Sequence, residues 1–342
     1  MKISDELKED WVHLSPYTYR PGTIGEKLKV NFMFYGGGIG DYICWSSAIL
    51  YVLENHLHVQ MALWTQSHFT PVAKKLFSRF GDRVEFKDVS TVDQYSQEDL
   101  NPALFPLETP NGVGMHMIDV GFAYFARTQP HGKYKEHVRL DVSDVDISSF
   151  NLPEKYAVVT TGHTSPTRVW KSAGVNGVSD YLVKNNITPV FLGKRVVYVA
   201  GDRQYKSEYE EGIDFSKGLD LRDKTDILQA AAIMAKAKVV VGLDNGLLHL
   251  AGTQEVPIVM GLTITIPADR SITRPKAEFP KNETTFISPD SRKLACSGCQ
   301  SKMRFHKKQD FAFCYYKDYK CLDVLNDPGH WINAIRRYLT LE

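Results

Sequence analysis

The sequence predicts an α/β protein built from two largely parallel sheets, each wound with helices. Three observations predict it. Short β-branched runs alternate with stretches of helical spacing, as in βαβ units. Tight glycine-bearing turns follow two of those runs, Gly36-Gly37-Gly38-Ile39-Gly40-Asp41 and Asp244-Asn245-Gly246. The alternation stops in an acidic, serine-bearing segment, Asp141 to Pro153, and restarts at Tyr156. A chain of 342 residues is long for one core. Two domains are expected, residues 1–150 and 151–327.

The first 28 residues read as an irregular or helical lead-in ending in Pro21-Gly22-Thr23-Ile24-Gly25. Val30 to Tyr35 reads as the first buried strand and Tyr42 to Glu54 as its helix. Strand-like runs recur at Val59–Thr65 and Val84–Lys87, with the helical Pro71–Arg79 between them. Leu100 to Gly114 is rich in Pro and Asn and reads as a surface loop. Met115 to Arg127 carries Phe122, Tyr124 and Phe125 on a strand or a helix. In the second half, Tyr156–Thr161, Thr188–Leu192, Val239–Val241 and Pro257–Gly261 read as strands. Val175–Asn185, the Ala-rich Asp226–Ala237 and Leu247–Thr253 read as helices. No short internal repeat or low-complexity segment interrupts the pattern.

Composition narrows the function classes. Hydrophobic content of 43% and charged content of 24% are ordinary for a globular protein, so disorder is not expected. A net charge of +1 gives no bulk attraction for nucleic acid or anionic lipid. The first thirty residues mix Lys, Asp and Glu, so no signal peptide is expected. No apolar run approaches the roughly 20 residues that span a bilayer. A cytoplasmic protein is expected. Of five cysteines, Cys44 sits alone in an apolar helix. Cys296, Cys299, Cys314 and Cys321 cluster late, and Cys-x2-Cys followed by two more has the ingredients of a structural zinc site. A loop of reduced thiols is the alternative.

The candidate chemistry lies where strands end. In an open parallel sheet a ligand binds outside the carboxyl ends of the strands. Those ends carry Thr161 to Arg168, Gly193-Lys194-Arg195, Asp244 to His249 and Thr263 to Pro267. A strand feeding a helix through Asp244-Asn245-Gly246 leaves amide donors that suit a phosphate, and His249 follows on the first turn. A self-satisfied cap with a packed histidine is the plainer reading. In the first half Gly37, Gly38 and Gly40 let a ligand approach the backbone. Asp41 either caps the helix or projects toward a ligand.

In order, Ile39-Gly40-Asp41, Arg168-Val169-Trp170, Leu221-Arg-Asp-Lys-Thr-Asp-Ile-Leu228, Asp244-Asn-Gly-x-x-His249-Leu-Ala251 and Cys321-Leu322 before a terminal helix form a set. The set resembles the heptosyltransferase-like glycosyltransferases, glycosyltransferase family 9, over most of the chain from about Val30. Family members usually carry Lys where Arg168 stands and Pro where Lys171 stands. Tyr35-Gly36-Gly37-Gly38 replaces a frequent Arg, and Thr263 to Asp269 lacks a Gly-Pro-Thr. The resemblance implies the GT-B arrangement, two Rossmann-like domains facing across a cleft, with the terminal helix 328–342 returning to the first domain. It implies an inverting, metal-independent transfer of a sugar from a nucleoside diphosphate sugar, by default ADP-heptose, to a saccharide hydroxyl. The first domain would hold the acceptor, with Asp41 as base and Gly37, Gly38 and Gly40 as the acceptor-side loop. The second would hold the donor through Thr161, Arg168, Lys194, Asp244, Asn245, Gly246 and His249.

Three other functions were weighed. Hydroxymethylated DNA is an alternative acceptor, because Arg270 to Lys308 is basic and its end interleaves Phe305, Phe311, Phe313, Tyr315 and Tyr316. A nucleotide-sugar epimerase on the same fold is the second. A non-catalytic sugar-nucleotide or zinc-bearing module is the third.

Overall fold

The computed structural model describes residues 12–13, 28–34, 38–91, 116–126, 129–161, 166–195, 210–272, 283–299, 314, 316 and 318–339. The chain divides into two compact units, residues 1–141 and 142–342. Parallel strands form one sheet in each.

The first unit carries β1 (Val12–His13), β2 (Leu28–Met33), β3 (Val59–Thr65) and β4 (Val84–Asp88), hydrogen-bonded in that order. Parallel neighbours need crossovers, and helices supply them. α1 (Ile39–Asn55) joins β2 to β3, and α2 (Thr70–Phe77) leads toward β4. α1 is apolar on most sides because it is covered on most sides. Phe34 meets Tyr42 and Trp45 edge-on at 5.2 and 5.3 Å. α3 (Met117–Gly121) lies so close that a Cβ on Gly121 would come 3.1 Å from the Trp45 backbone. One turn of π-helix, Phe122–Ala126, follows α3. The far end of α1 is closed by Arg83, whose guanidinium donates to the carbonyls of Leu53, His56 and Val59 at 2.9, 2.9 and 3.1 Å.

The second unit contains β5 (Tyr156–Thr160), α4 (Ser172–Lys184), β6 (Thr188–Leu192) and β7 (Leu219–Asp220). α5 (Ile227–Ala235), β8 (Val240–Leu243), α6 (Gly246–Ala251), β9 (Ile258–Gly261), α7 (Pro267–Arg270) and β10 (Thr284–Ile287) follow. The strand order is β10-β9-β8-β5-β6-β7. The chain therefore winds outward from β5 through β6 and β7, then crosses back to start again on β5's other side with β8. Strands buried on both faces read as continuous apolar runs, which is why β5, β6, β8 and β9 were legible.

α8 (Cys321–Asn326) and α9 (Pro328–Leu339) close the described chain. The resemblance placed the terminal helix on the first domain. The structure instead packs Trp331, Ile335 and Tyr338 into the core of the second unit, with Val159, Phe191 and Val259. Trp331 stacks on Trp170 with ring centroids 4.0 Å apart, and its indole N–H donates to the Leu325 carbonyl. The physical reason is the helix's one apolar face, which has the second sheet beneath it. β1 also interrupts the expected irregular lead-in, and β7 and β10 were not foreseen at all. Among the described residues no helix is long and apolar enough to cross a membrane.

Candidate functional site

The switch in winding direction falls between β5 and β8, and a crevice for a ligand opens at such a point beyond the carboxyl ends of the strands. Thr160 ends β5 with Thr161 just past it, and Asp244 follows β8 directly. Gly242 lets the two strand ends approach, since a Cβ there would collide with the Thr160 side chain. The side chain of Asn245 bridges the gap, its amide nitrogen 3.4 Å from the Thr160 hydroxyl.

Asp244 is the hub. It is buried, and its carboxylate is approached by Thr265 Oγ1 at 3.1 Å, His249 Nε2 at 3.5 Å and Arg168 Nη2 at 4.0 Å. Arg168 Nη1 also donates to the Asp244 carbonyl at 3.3 Å. Burial pushes the Asp244 carboxyl up. The Arg168 charge, then the His249 hydrogen bond and the Arg270 charge, outweigh burial and hold it well below the usual carboxylate range. The loop geometry follows from the neighbours of Arg168. Val169 and Trp170 are buried, so the segment is anchored and the arginine at its head projects to the strand ends. Arg168 Nε, itself buried, has no hydrogen-bond partner among the described residues.

Two amides at the helix start, and His249, are already engaged. Asn245 Oδ1 accepts from the amides of Leu247 at 2.9 Å and Leu248 at 3.2 Å, which caps the six-residue α6 from within. His249 turns its Nε2 to Asp244. The plainer reading of this stretch therefore describes its resting arrangement.

A second cluster occupies the ends of β5 and β7 on the other side. The Thr161 hydroxyl donates to Glu210 Oε1 at 2.8 Å, and Glu210 pairs through its other oxygen with buried Arg222. The Arg222 fork also takes both oxygens of Asp220 at 2.9 Å. Its guanidinium lies 3.2 Å over the Phe215 ring. Burial pushes the Asp220 carboxyl up, and Arg222 more than reverses this. Arg195 reaches Asp220 at 3.2 Å, and Lys224 Nζ donates to its carbonyl at 2.7 Å. Lys194 stands exposed past β6, which β5 separates from the Asp244 cluster. Sequence reasoning missed Glu210 and the partners of Arg222. No motif marks Glu210, and Arg222 looked like part of a helix approach.

In the first unit Gly38 precedes α1 and Gly40 is buried in its first turn. Asp41 Oδ2 accepts the Gly38 amide at 3.0 Å, so its carboxylate closes the helix start. Gly37 lies outside the described residues. Of the four late cysteines, Cys321 is buried and the other three are half-buried. Burial raises the Cys321 thiol first, and Cys314, Cys299 and Cys296 add to the rise, to about 12. Most of the basic and aromatic residues from Arg270 to Lys308 lie outside the described residues. Arg292, which does not, pairs with Asp290 at 2.9 Å.

The sequence model of glycosyltransferase family 9 (heptosyltransferase) matches residues 112–301. No curated protein matches. Solved structures do. The iron-containing dodecameric heptosyltransferase TibC of enterotoxigenic E. coli, in complex with ADP-D-beta-D-heptose, is 16% identical with a TM-score of 0.66, over 92% of this chain and 78% of that one. A glycosyl transferase family 9 protein from Veillonella parvula is 14% identical with a TM-score of 0.56, over 91% and 96%. The ADP-heptose LPS heptosyltransferase II of E. coli is 13% identical with a TM-score of 0.52, over 89% and 99%. At such identities the likeness is one of fold.

Proposed function

The chain belongs to glycosyltransferase family 9 and is a glycosyltransferase, and from that premise we propose an inverting, metal-independent transfer from a nucleoside diphosphate sugar to a saccharide hydroxyl. The observation that carries the proposal is the Arg168–Asp244–His249 cluster at the point where the second sheet switches direction. ADP-heptose is the default donor; TibC is described in complex with ADP-D-beta-D-heptose.

The roles follow from charge. The departing diphosphate needs positive charge and hydrogen-bond donors in place before the reaction. Arg168 supplies a planar fork at the strand ends, and the Gly246 amide opens α6 beside it. Asp244 would repel a diphosphate, so its role is to hold Arg168 and His249 at the strand ends. Lys194 and Thr161 edge the same crest. With that fixed cationic charge the donor site needs no divalent ion. In the first domain, holding the acceptor beside Gly37, Gly38 and Gly40, the Asp41 carboxylate takes the hydroxyl proton. The acceptor oxygen bonds to the anomeric carbon as the carbon–diphosphate oxygen bond breaks on the opposite face, which inverts the centre.

The cysteines support a structural metal. Four cysteines in this spacing offer the sulfur-only donors that suit zinc or iron, and TibC is described as iron-containing. Such an ion would tie the loop before α8 to that helix.

The test is thermal unfolding with ADP, UDP, GDP, CDP and dTDP in turn, with and without EDTA. At a hundred times its dissociation constant the donor nucleotide should stabilise the chain by about 2.7 kcal/mol. A shift with one nucleotide, ADP by default, of the same size in EDTA supports the proposal. No shift with any nucleotide refutes the donor site, and a shift abolished by EDTA refutes metal independence.

A further inference from the structure

Glu210 belongs to none of the motifs that mark the family, yet its carboxylate joins two things that matter. One oxygen takes the hydroxyl proton of Thr161, the first residue past β5, at 2.8 Å. The other pairs with Arg222, which Asp220 grips with both oxygens and Phe215 supports from below. Thr161 opens the connection that ends in Arg168. The far end of that connection is pinned as well, because Thr263 Oγ1 donates to the Thr167 carbonyl at 2.6 Å.

We infer that Glu210 and Arg222 are positioning residues for glycosyl transfer, fixing the start of the loop that carries Arg168 to the diphosphate. The inference rests on the donor-site reading above and deepens it. Three features argue for positioning over plain stabilisation. The carboxylate is shared between a strand-end hydroxyl and a guanidinium, so moving Arg222 moves Thr161. Arg222 is built as a rigid part, since a planar fork with a stacked face has one orientation where a lysine would have many. The network also closes the β5 end opposite Asp244, so Thr161 and Thr167 are each held by a hydrogen bond. A displacement of about 1 Å in a group that acts on the reacting centre costs on the order of a hundredfold.

The experiment measures ADP binding by titration calorimetry, well below the melting temperature, for the wild type and for Glu210→Ala, Arg222→Lys, Thr161→Val and the double variant Glu210→Ala/Thr161→Val. UDP, GDP, CDP and dTDP replace ADP if one of them is the nucleotide that stabilises the chain. We expect each single variant to weaken binding about tenfold or more, and the double variant to bind no worse than the weaker single. A structural role alone would lower the melting temperature and leave the dissociation constant unchanged, and that result overturns the inference. So do single effects that multiply in the double variant, because they would mean independent contacts. Arg222→Lys keeps the charge, and it decides the matter if Glu210→Ala does not fold: wild-type affinity in Arg222→Lys overturns the inference. If the wild type binds none of the five nucleotides, the donor-site reading itself fails and this inference falls with it.

Discussion

At the scale of single residues the chain assigns two aspartates opposite duties. Asp41 closes a helix start by accepting the Gly38 amide, and in the proposed reaction it takes the acceptor's proton. Asp41→Asn should therefore abolish turnover while nucleotide binding, measured by calorimetry, stays within about twofold; unchanged turnover would remove Asp41 from the mechanism. Asp244 is buried among Arg168, His249, Thr265 and Arg270, and its carboxyl is held below its ordinary range. A folded pKa below the unfolded value, about 3.9, means stability that is fully present above pH 4 and is lost as pH falls toward the folded pKa. Asp244→Asn removes one partner of a buried charge cluster, which costs about 3–5 kcal/mol. Urea unfolding from pH 7 down to 2 should show that difference near neutrality and a shrinking gap below about pH 4. A gap that grows with acid would contradict the assignment.

At the scale of elements, the ends of helices decide where side chains go. α1 is positioned at both ends, by Asp41 at its start and by Arg83 at its finish. Arg83 donates three hydrogen bonds to carbonyls at the end of the helix, in the following turn and at the start of β3. A neutral isostere such as Arg83→Met should cost on the order of 2 kcal/mol. Urea unfolding would report it as a lower midpoint with an unchanged slope. An effect under about 0.5 kcal/mol would show that water replaces the guanidinium there. In the second unit α6 is capped by its own Asn245, so its dipole is offset before any ligand arrives. α5 is similarly self-contained: Asp226 accepts from the Gln229 amide while the Gln229 side chain accepts from the Asp226 amide.

At the scale of the whole molecule, each unit stands on its own parallel sheet, and the second keeps α9 as part of its core. The four late cysteines fall within that same unit. If they hold a metal, a strong chelator alone should lower the melting temperature by several degrees, and zinc or iron should restore it. Metal analysis of the purified chain should then find about one equivalent. A melting curve indifferent to chelation, with no bound metal, would return the cluster to reduced thiols.

Read by itself, the sequence determined the elements whose signal is local. The strands Val59–Thr65 and Thr188–Leu192 were legible to the residue, because buried parallel strands are apolar on both faces. Gly38 to Asp41 and Asp244-Asn245-Gly246 announced the helix starts, because small or self-capping residues fit there. Arg168, Asp244 and His249 could be named as candidates, and the structure gathers these three. β7 and β10 were not legible, since each is brief and defined by its neighbour more than by its own composition. The terminal helix shows one apolar face in sequence, but which sheet it covers is a long-range choice that packing makes. The same holds for Glu210, Asp220 and Arg222, which are ordinary charged residues until the fold removes water from around them. A charge acquires a specific partner only when burial makes the alternative costly. That is a property of the tertiary structure, and no spacing in the sequence encodes it.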